Sequence, residues 1–166
     1  MAIENEGMKL GDLPDYVRKS FGGSVKHMKL RSGMKLFTLS RKAILIRGAD
    51  KTVTTWWSPF DEFRDDPGYE GRLTIGKAIG VSDMDIMKDM AAYENKKAGG
   101  RWIVVAKLRR PIYGFYGRIR RQNLISRKTG SSKSTVNGMN AVGYQFYIPN
   151  LQANVNISRV EAIDLR

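Results

Sequence analysis

The sequence predicts an α+β domain whose core is a mainly antiparallel, split β-sheet with a helical segment in the middle of the chain. Apolar residues alternate at a period of two in 34–57 and again from 101 onward, whereas between 72 and 98 they recur at spacings of three and four. Clusters of Gly, Pro, Asn and Asp punctuate the ends of these segments. Strands, then helices, then strands is not the regular strand–helix alternation of a doubly wound sheet. At 166 residues the chain is long enough for a single domain with its own core.

Taken in order, residues 1–33 read as an N-terminal lead-in and 34–166 as the domain proper. Within the lead-in, GDLPDYVRKSF suits one short helix, capped by Asp12 or Asp15 and broken by the GGS of 22–24. MKLFTLSRKAILIRG then supplies one or two strands, and KTVTTWW a further β-branched, aromatic one. Its adjacent tryptophans, Trp56 and Trp57, must point to opposite faces. SPFDEFRDDPGYEG is a long polar loop, and its carboxylates Asp61, Glu62, Asp65 and Asp66 read as solvated. RLTIGKAIG suits a short helix. A better one begins at Ser82, which can cap it with Asp85 three residues on, and its Met84, Met87, Met90 and Ala91 read as core. RWIVVAKL and PIYGFYGRI are strands joined by Arg109-Arg110-Pro111, read as a tight connection or a bulge within a basic hairpin. A basic Gly/Ser-rich loop follows at 120–139. VGYQFYIP is a strand ended by Pro149, and NVNISRVEAIDL is the last strand.

Composition excludes several chemistries. There is no cysteine, so disulfides, zinc ribbons and thiol catalysis are absent. One histidine, His27, leaves no polyhistidine metal site, and no phosphate-binding loop, HExxH or calcium-loop spacing appears. No apolar run approaches a membrane span, and the N-terminus lacks a signal-peptide layout, which fits a cytoplasmic working environment.

Charge is the unusual total. The 29 Lys and Arg against 16 Asp and Glu give a formal +13, and residues 101–160 contain no acid against eleven Lys and Arg. Such an excess suits a polyanion partner, most often nucleic acid. Arg109, Arg110, Arg118, Arg120, Arg121, Arg127 and Lys128 are the candidate nucleic-acid contacts. Those around Tyr113, Phe115 and Tyr116 set charge beside rings, as single-strand-binding surfaces do. Gln145 is the odd residue of its strand: its amide is either on a solvent face or held by hydrogen bonds, since an unsatisfied buried amide costs ~1–3 kcal/mol.

In order along the chain, MKLFTLSR, TTWWS, WIVVAKLRRPIYGFYG and QFYIP resemble the motifs of bacterial toxin domains of the ADP-ribosyltransferase superfamily, including its NAD glycohydrolase branch. The likeness covers roughly 33–163 through short, degenerate motifs. It implies a split β-fold that binds NAD as substrate, without a metal, and cleaves the nicotinamide–ribose bond. It places Gln145 where most transferases carry glutamate, with Ser58 supporting it. Phe37 or Trp57 would pack on the nicotinamide, with Thr38 and Tyr147 also at the site and Arg41 at the phosphates. A glutamine can orient but cannot carry the negative charge of glutamate, so water or a reactive acceptor such as RNA suits it better than protein arginine. Asp61 or Glu62 would supply a carboxylate if their loop folded over the site. The implied partners are NAD, an RNA acceptor and a cognate immunity protein. Two other readings stand beside this one: a metal-independent ribonuclease toxin, for which His27 is the lone neutral-pH acid–base candidate, and a non-catalytic basic RNA-binding protein.

Overall fold

The computed structural model describes residues 2–45, 52–91, 101–119 and 143–166. Its elements in chain order are a 3₁₀ turn (Leu10–Asp12), α1 (Asp15–Ser20), β1 (Lys26–Leu30), β2 (Lys35–Ser40), β3 (Trp56–Pro59), α2 (Gly68–Ile79), α3 (Asp83–Met90), β4 (Trp102–Leu108), β5 (Ile112–Arg118), β6 (Tyr144–Tyr147), α4 (Ala153–Asn156) and β7 (Ile157–Asp164). The architecture is α+β. The seven strands run β1-β5-β6-β3-β2-β4-β7, and every neighbouring pair is antiparallel. Among the described residues no helix is long and apolar enough to cross a membrane.

The sheet is split between β2 and β3. These strands pair only at Leu36↔Pro59 and Phe37↔Ser58. Past that point β2 stays with β4 as far as Ser40↔Trp102, while β3 stays with β6 through Trp57↔Phe146 and Trp56↔Tyr147. One core cluster draws side chains from all seven strands, among them Leu30, Leu36, Trp57, Leu108, Ile112, Phe146 and Ile157, but from the helices only Ala153 of α4. The two halves of the sheet therefore cover each other. Their outer faces are covered separately. Leu13, Val17 and Phe21 lie on Phe115, Ile119 and Tyr147, while Tyr69 of α2 and Met87 of α3 lie on Phe37, Leu39, Ile103 and Val105.

Two expectations are corrected here. Residues 1–33 are not a lead-in outside the fold: β1 pairs with β5 over five residues, and the α1 region covers an apolar sheet face that would otherwise meet water. PIYGFYG buries both of its faces, so it needs cover on both. β4 and β5 are not a hairpin either. Arg109-Arg110-Pro111 carries the chain from the β2–β4–β7 half to the β1–β5–β6–β3 half, and Leu108 and Ile112 enter the shared core from opposite sides of that crossing.

The helices start as their local chemistry requires. Ser82 Oγ accepts from the Asp85 N–H at 3.1 Å, the cap read from the sequence. α2 starts four residues before the predicted RLTIGKAIG, because Asp66 Oδ1 accepts from the Gly68 N–H at 2.8 Å. Gly68 has φ +76°, and a Cβ there would lie 2.7 Å from the Asp61 carbonyl carbon, so this turn admits only glycine.

At the far edge Arg101 forks onto Asp164, with Nε 2.8 Å from Oδ1. Hydrogen bonding to Arg101 first, and to the Arg166 N–H next, holds the Asp164 carboxyl down at about 2. A depressed acid contributes stability above its unfolded value of about 3.8 and loses it as pH falls through about 2. An NMR titration of Asp164 is expected to show that low midpoint, and Arg101→Gln to return it to the ordinary carboxylate range.

Candidate active site

Strand order assembles the site. β6, β3 and β2 are far apart in sequence but consecutive in space. Gly117 pairs with Gln145, and Phe37 with both Ser58 and Val105. One step beyond Trp57↔Phe146 brings Ser58 opposite Gln145. Gln145, Ser58 and Phe37 thus stand in one row across the split, on the outer face of the sheet between the end of α1 and the end of α3.

A cleft of ≈ 340 Å³ opens where β2 and β3 part. Gln145, Ser58, Phe37, Thr38, Trp56 and Ser40 line it, with Ser20 of α1 and Met87 and Ala91 at the end of α3. This size is at the lower end of small-molecule pockets, and its character, apolar walls with a few convergent hydroxyls and one amide, is typical of them. Gln145 is 8% exposed and donates through Nε2 to the Ala91 carbonyl at 3.3 Å, so its amide is tethered to the end of α3 and faces the cleft, not bulk solvent.

Other candidates lie elsewhere. Trp57 is fully buried in the shared core and its indole N–H donates to the Thr54 carbonyl at 2.8 Å; Trp56, its opposite-facing neighbour, lines the cleft instead. Tyr147 is covered by the α1 layer, where burial raises its hydroxyl pKa, and it does not line the cleft. Arg41 is exposed, one residue past Ser40 at the rim. Asp61 and Glu62 do not fold over the site: they face a different cavity with Arg31 and Lys35, and no carboxylate lines the cleft among the described residues. Arg109 and Arg110 sit at one end of β5 and Arg118 at the other, so they form no single patch. Arg120, Arg121, Arg127 and Lys128 lie outside the described residues. His27, on β1, meets the Asn5 carbonyl through Nε2 at 2.9 Å and is remote from the cleft lining. No group of three or more metal-ligating side chains occurs among the described residues.

The support beneath the row is an ion pair that the sequence does not reveal. Asp66 and Arg72 have fully buried side chains with Oδ2 and Nη2 2.8 Å apart. The same carboxylate oxygen accepts from the Tyr144 N–H at 2.9 Å, and Arg72 Nη2 donates to the Tyr144 carbonyl at 3.3 Å. The guanidinium also stands over the Phe37 ring, 5.0 Å from its centre. One pair therefore holds the backbone next to Gln145 and one face of Phe37. Asp66 was expected in a solvated loop; it is buried because the Phe63–Asp66 reversal turns it inward while Asp65 stays out. Gly143 completes the packing. A Cβ there would lie 2.3 Å from the Met90 carbonyl oxygen and 2.8 Å from Arg72 Nη2. Gly143→Ala is expected to cost about 1–3 kcal/mol by overpacking, measured as a lowered thermal midpoint.

No family model matches the chain, and no curated protein matches it. Among solved structures it is similar to Rhs1-CT in complex with the cognate immunity protein RhsI1, at 11% identity and a TM-score of 0.47, over 87% of this chain and 84% of that one.

Proposed function

We propose that the protein is an NAD-consuming toxin domain of the ADP-ribosyltransferase type, which cleaves the nicotinamide–ribose bond at the split between β2 and β3. One observation carries this reading. The segments MKLFTLSR, TTWWS and QFYIP, which the family resemblance groups as one site, become spatial neighbours only through the strand order β6-β3-β2, with Gln145, Ser58 and Phe37 in a single row beside a cleft.

In the proposed reaction the bond from ribose C1′ to the nicotinamide nitrogen breaks, and its electron pair leaves with neutral nicotinamide. The oxygen of water, or of an acceptor hydroxyl, bonds to C1′ and releases its proton to solvent. Positive charge develops on the sugar between these events, so fixed dipoles and orientation are what the protein must supply. Gln145 and Ser58 orient the ribose hydroxyls, Phe37 and Trp56 offer rings to the nicotinamide, and Arg41 at the rim serves the phosphates. With no carboxylate in the described lining, the site suits water or an intrinsically nucleophilic acceptor such as RNA. An enzyme that depletes NAD harms the cell that makes it, so a cognate immunity protein belongs to the same proposal.

Incubation with NAD, alone and with total RNA, tests the reading through nicotinamide release and RNA size. Nicotinamide release that Gln145→Ala removes is the expected result. RNA shortening without NAD, with no nicotinamide released, would overturn it in favour of a ribonuclease.

A further inference from the structure

A second cavity, of ≈ 460 Å³, lies on the opposite face of β5 and β6 from the cleft. Tyr144 and Gln145 are adjacent on β6 yet line different cavities. Three cations from three separate elements reach this one: Lys26 of β1, Arg64 of the turn before α2, and Arg118 at the end of β5. All three are exposed, and among the described residues none is ion-paired with a carboxylate. Asp65 is the one acid in the lining among the described residues. The inner wall is aromatic: Tyr144, half-buried, stacks on buried Tyr116 with ring centres 5.4 Å apart and planes 22° apart.

Arg64 has an unusual backbone. Phe63 and Asp66 bridge each other through two backbone hydrogen bonds, of 3.0 and 2.9 Å, which leaves Arg64-Asp65 as a two-residue reversal. Arg64, at its first position, has φ +50°, where glycine is at ease and a long side chain is not. A side chain held in that region at the lip of a charged cavity, its guanidinium 5.7 Å from the centre of the adjacent Phe63 ring, points to use of its charge.

We propose that this cavity binds single-stranded nucleic acid, taking a backbone phosphate between Lys26, Arg64 and Arg118 and stacking the neighbouring base against Tyr144. Ring-plus-cation sites of this kind read the backbone and the base face without regard to sequence. The formal +13 of the chain supplies the long-range attraction, and this cavity gives it a place to act. The proposal does not rest on NAD chemistry, since none of its residues lines the cleft.

Fluorescence anisotropy with a labelled twelve-nucleotide oligo-U tests it, across a salt series with the full chain. Arg64→Gly relieves the backbone, so the thermal midpoint should hold or rise while affinity falls about tenfold and the salt slope shrinks by about one. Tyr144→Leu should weaken oligo-U several-fold and leave an abasic twelve-mer of the same charge unaffected. Arg110→Gln, at the far end of β5, should change binding less than either. Unchanged affinity in Arg64→Gly overturns the proposal. So does AMP binding as tightly as oligo-U, which would make this a mononucleotide site. Equal binding of a twelve-residue oligoglutamate would also overturn it, because charge alone would then suffice.

Discussion

Arg72→Met is expected to destabilise the protein by about 3–5 kcal/mol, because it strands a buried carboxylate without its counter-charge. For a chain of this size that is a drop in thermal midpoint of roughly 6–20 °C, against a total stability of about 5–15 kcal/mol. The cost is more than one lost ion pair. Asp66 also accepts the Gly68 N–H that starts α2 and the Tyr144 N–H at the head of β6, and Arg72 packs on Phe37. Asp66→Asn should also destabilise, since the Gly68 and Tyr144 N–H groups bond to different carboxylate oxygens and the single amide oxygen can keep only one of them. The amide NH2 is then left against the other donor, and Arg72 without its counter-charge. An apolar double replacement, Asp66→Leu with Arg72→Met, removes both buried charges, and such swaps often regain stability. Here the regain should be incomplete, because two backbone donors lose their acceptor. Urea or thermal unfolding of the four proteins decides this. Arg72→Met within 1 kcal/mol of the parent would show that the pair bears no such burden.

Gln145→Ala is expected to lower kcat for nicotinamide release by about 100-fold, the usual scale for losing one preorganised polar group that meets developing charge. Ser58→Ala should act in the same direction, and the double variant should lose less than the product of the two, because the side chains stand side by side in one row. The pH profile gives a second readout. Every polar side chain described in the cleft is a hydroxyl or an amide, none of which titrates near neutrality, so the parent rate should be flat between about pH 5 and 9. Gln145→Glu places a carboxyl at a position 8% exposed and 3.3 Å from a carbonyl oxygen, an environment that raises its pKa. That variant should acquire a pH dependence rising with its ionisation. Full activity in Gln145→Ala would remove this residue from the site, whatever the enzyme class.

How much of this was legible in the chain varies with the range of the interaction. Strands β2, β4, β5 and β6 and the α3 cap follow from local pattern, alternating apolar residues for the strands and Ser82 with Asp85 for the helix start, whereas β1 lies inside the segment read as a lead-in. The two tryptophans show where pattern stops. Alternation says that Trp56 and Trp57 face opposite ways, but not which face is core. The fold decides it: β3 lies between β6 and β2, so Trp57 points between the sheet halves and Trp56 into the cleft. Asp65 and Asp66 pose the same difficulty in a turn, where adjacent identical residues part into solvent and core.

The amino-acid sequence by itself determined the α+β class, the position of the helices between strands, the large positive charge and the singling out of Gln145, because each of these rests on spacing or composition within a few residues. Only the tertiary structure decided that residues 1–33 form a covering layer and an edge strand, that β4 and β5 belong to different halves, and that Gln145, Ser58 and Phe37 stand in one row above the Asp66–Arg72 pair. Those facts depend on which strands lie side by side. Side-chain alternation specifies a strand's faces but not its neighbours, which packing of the whole chain selects.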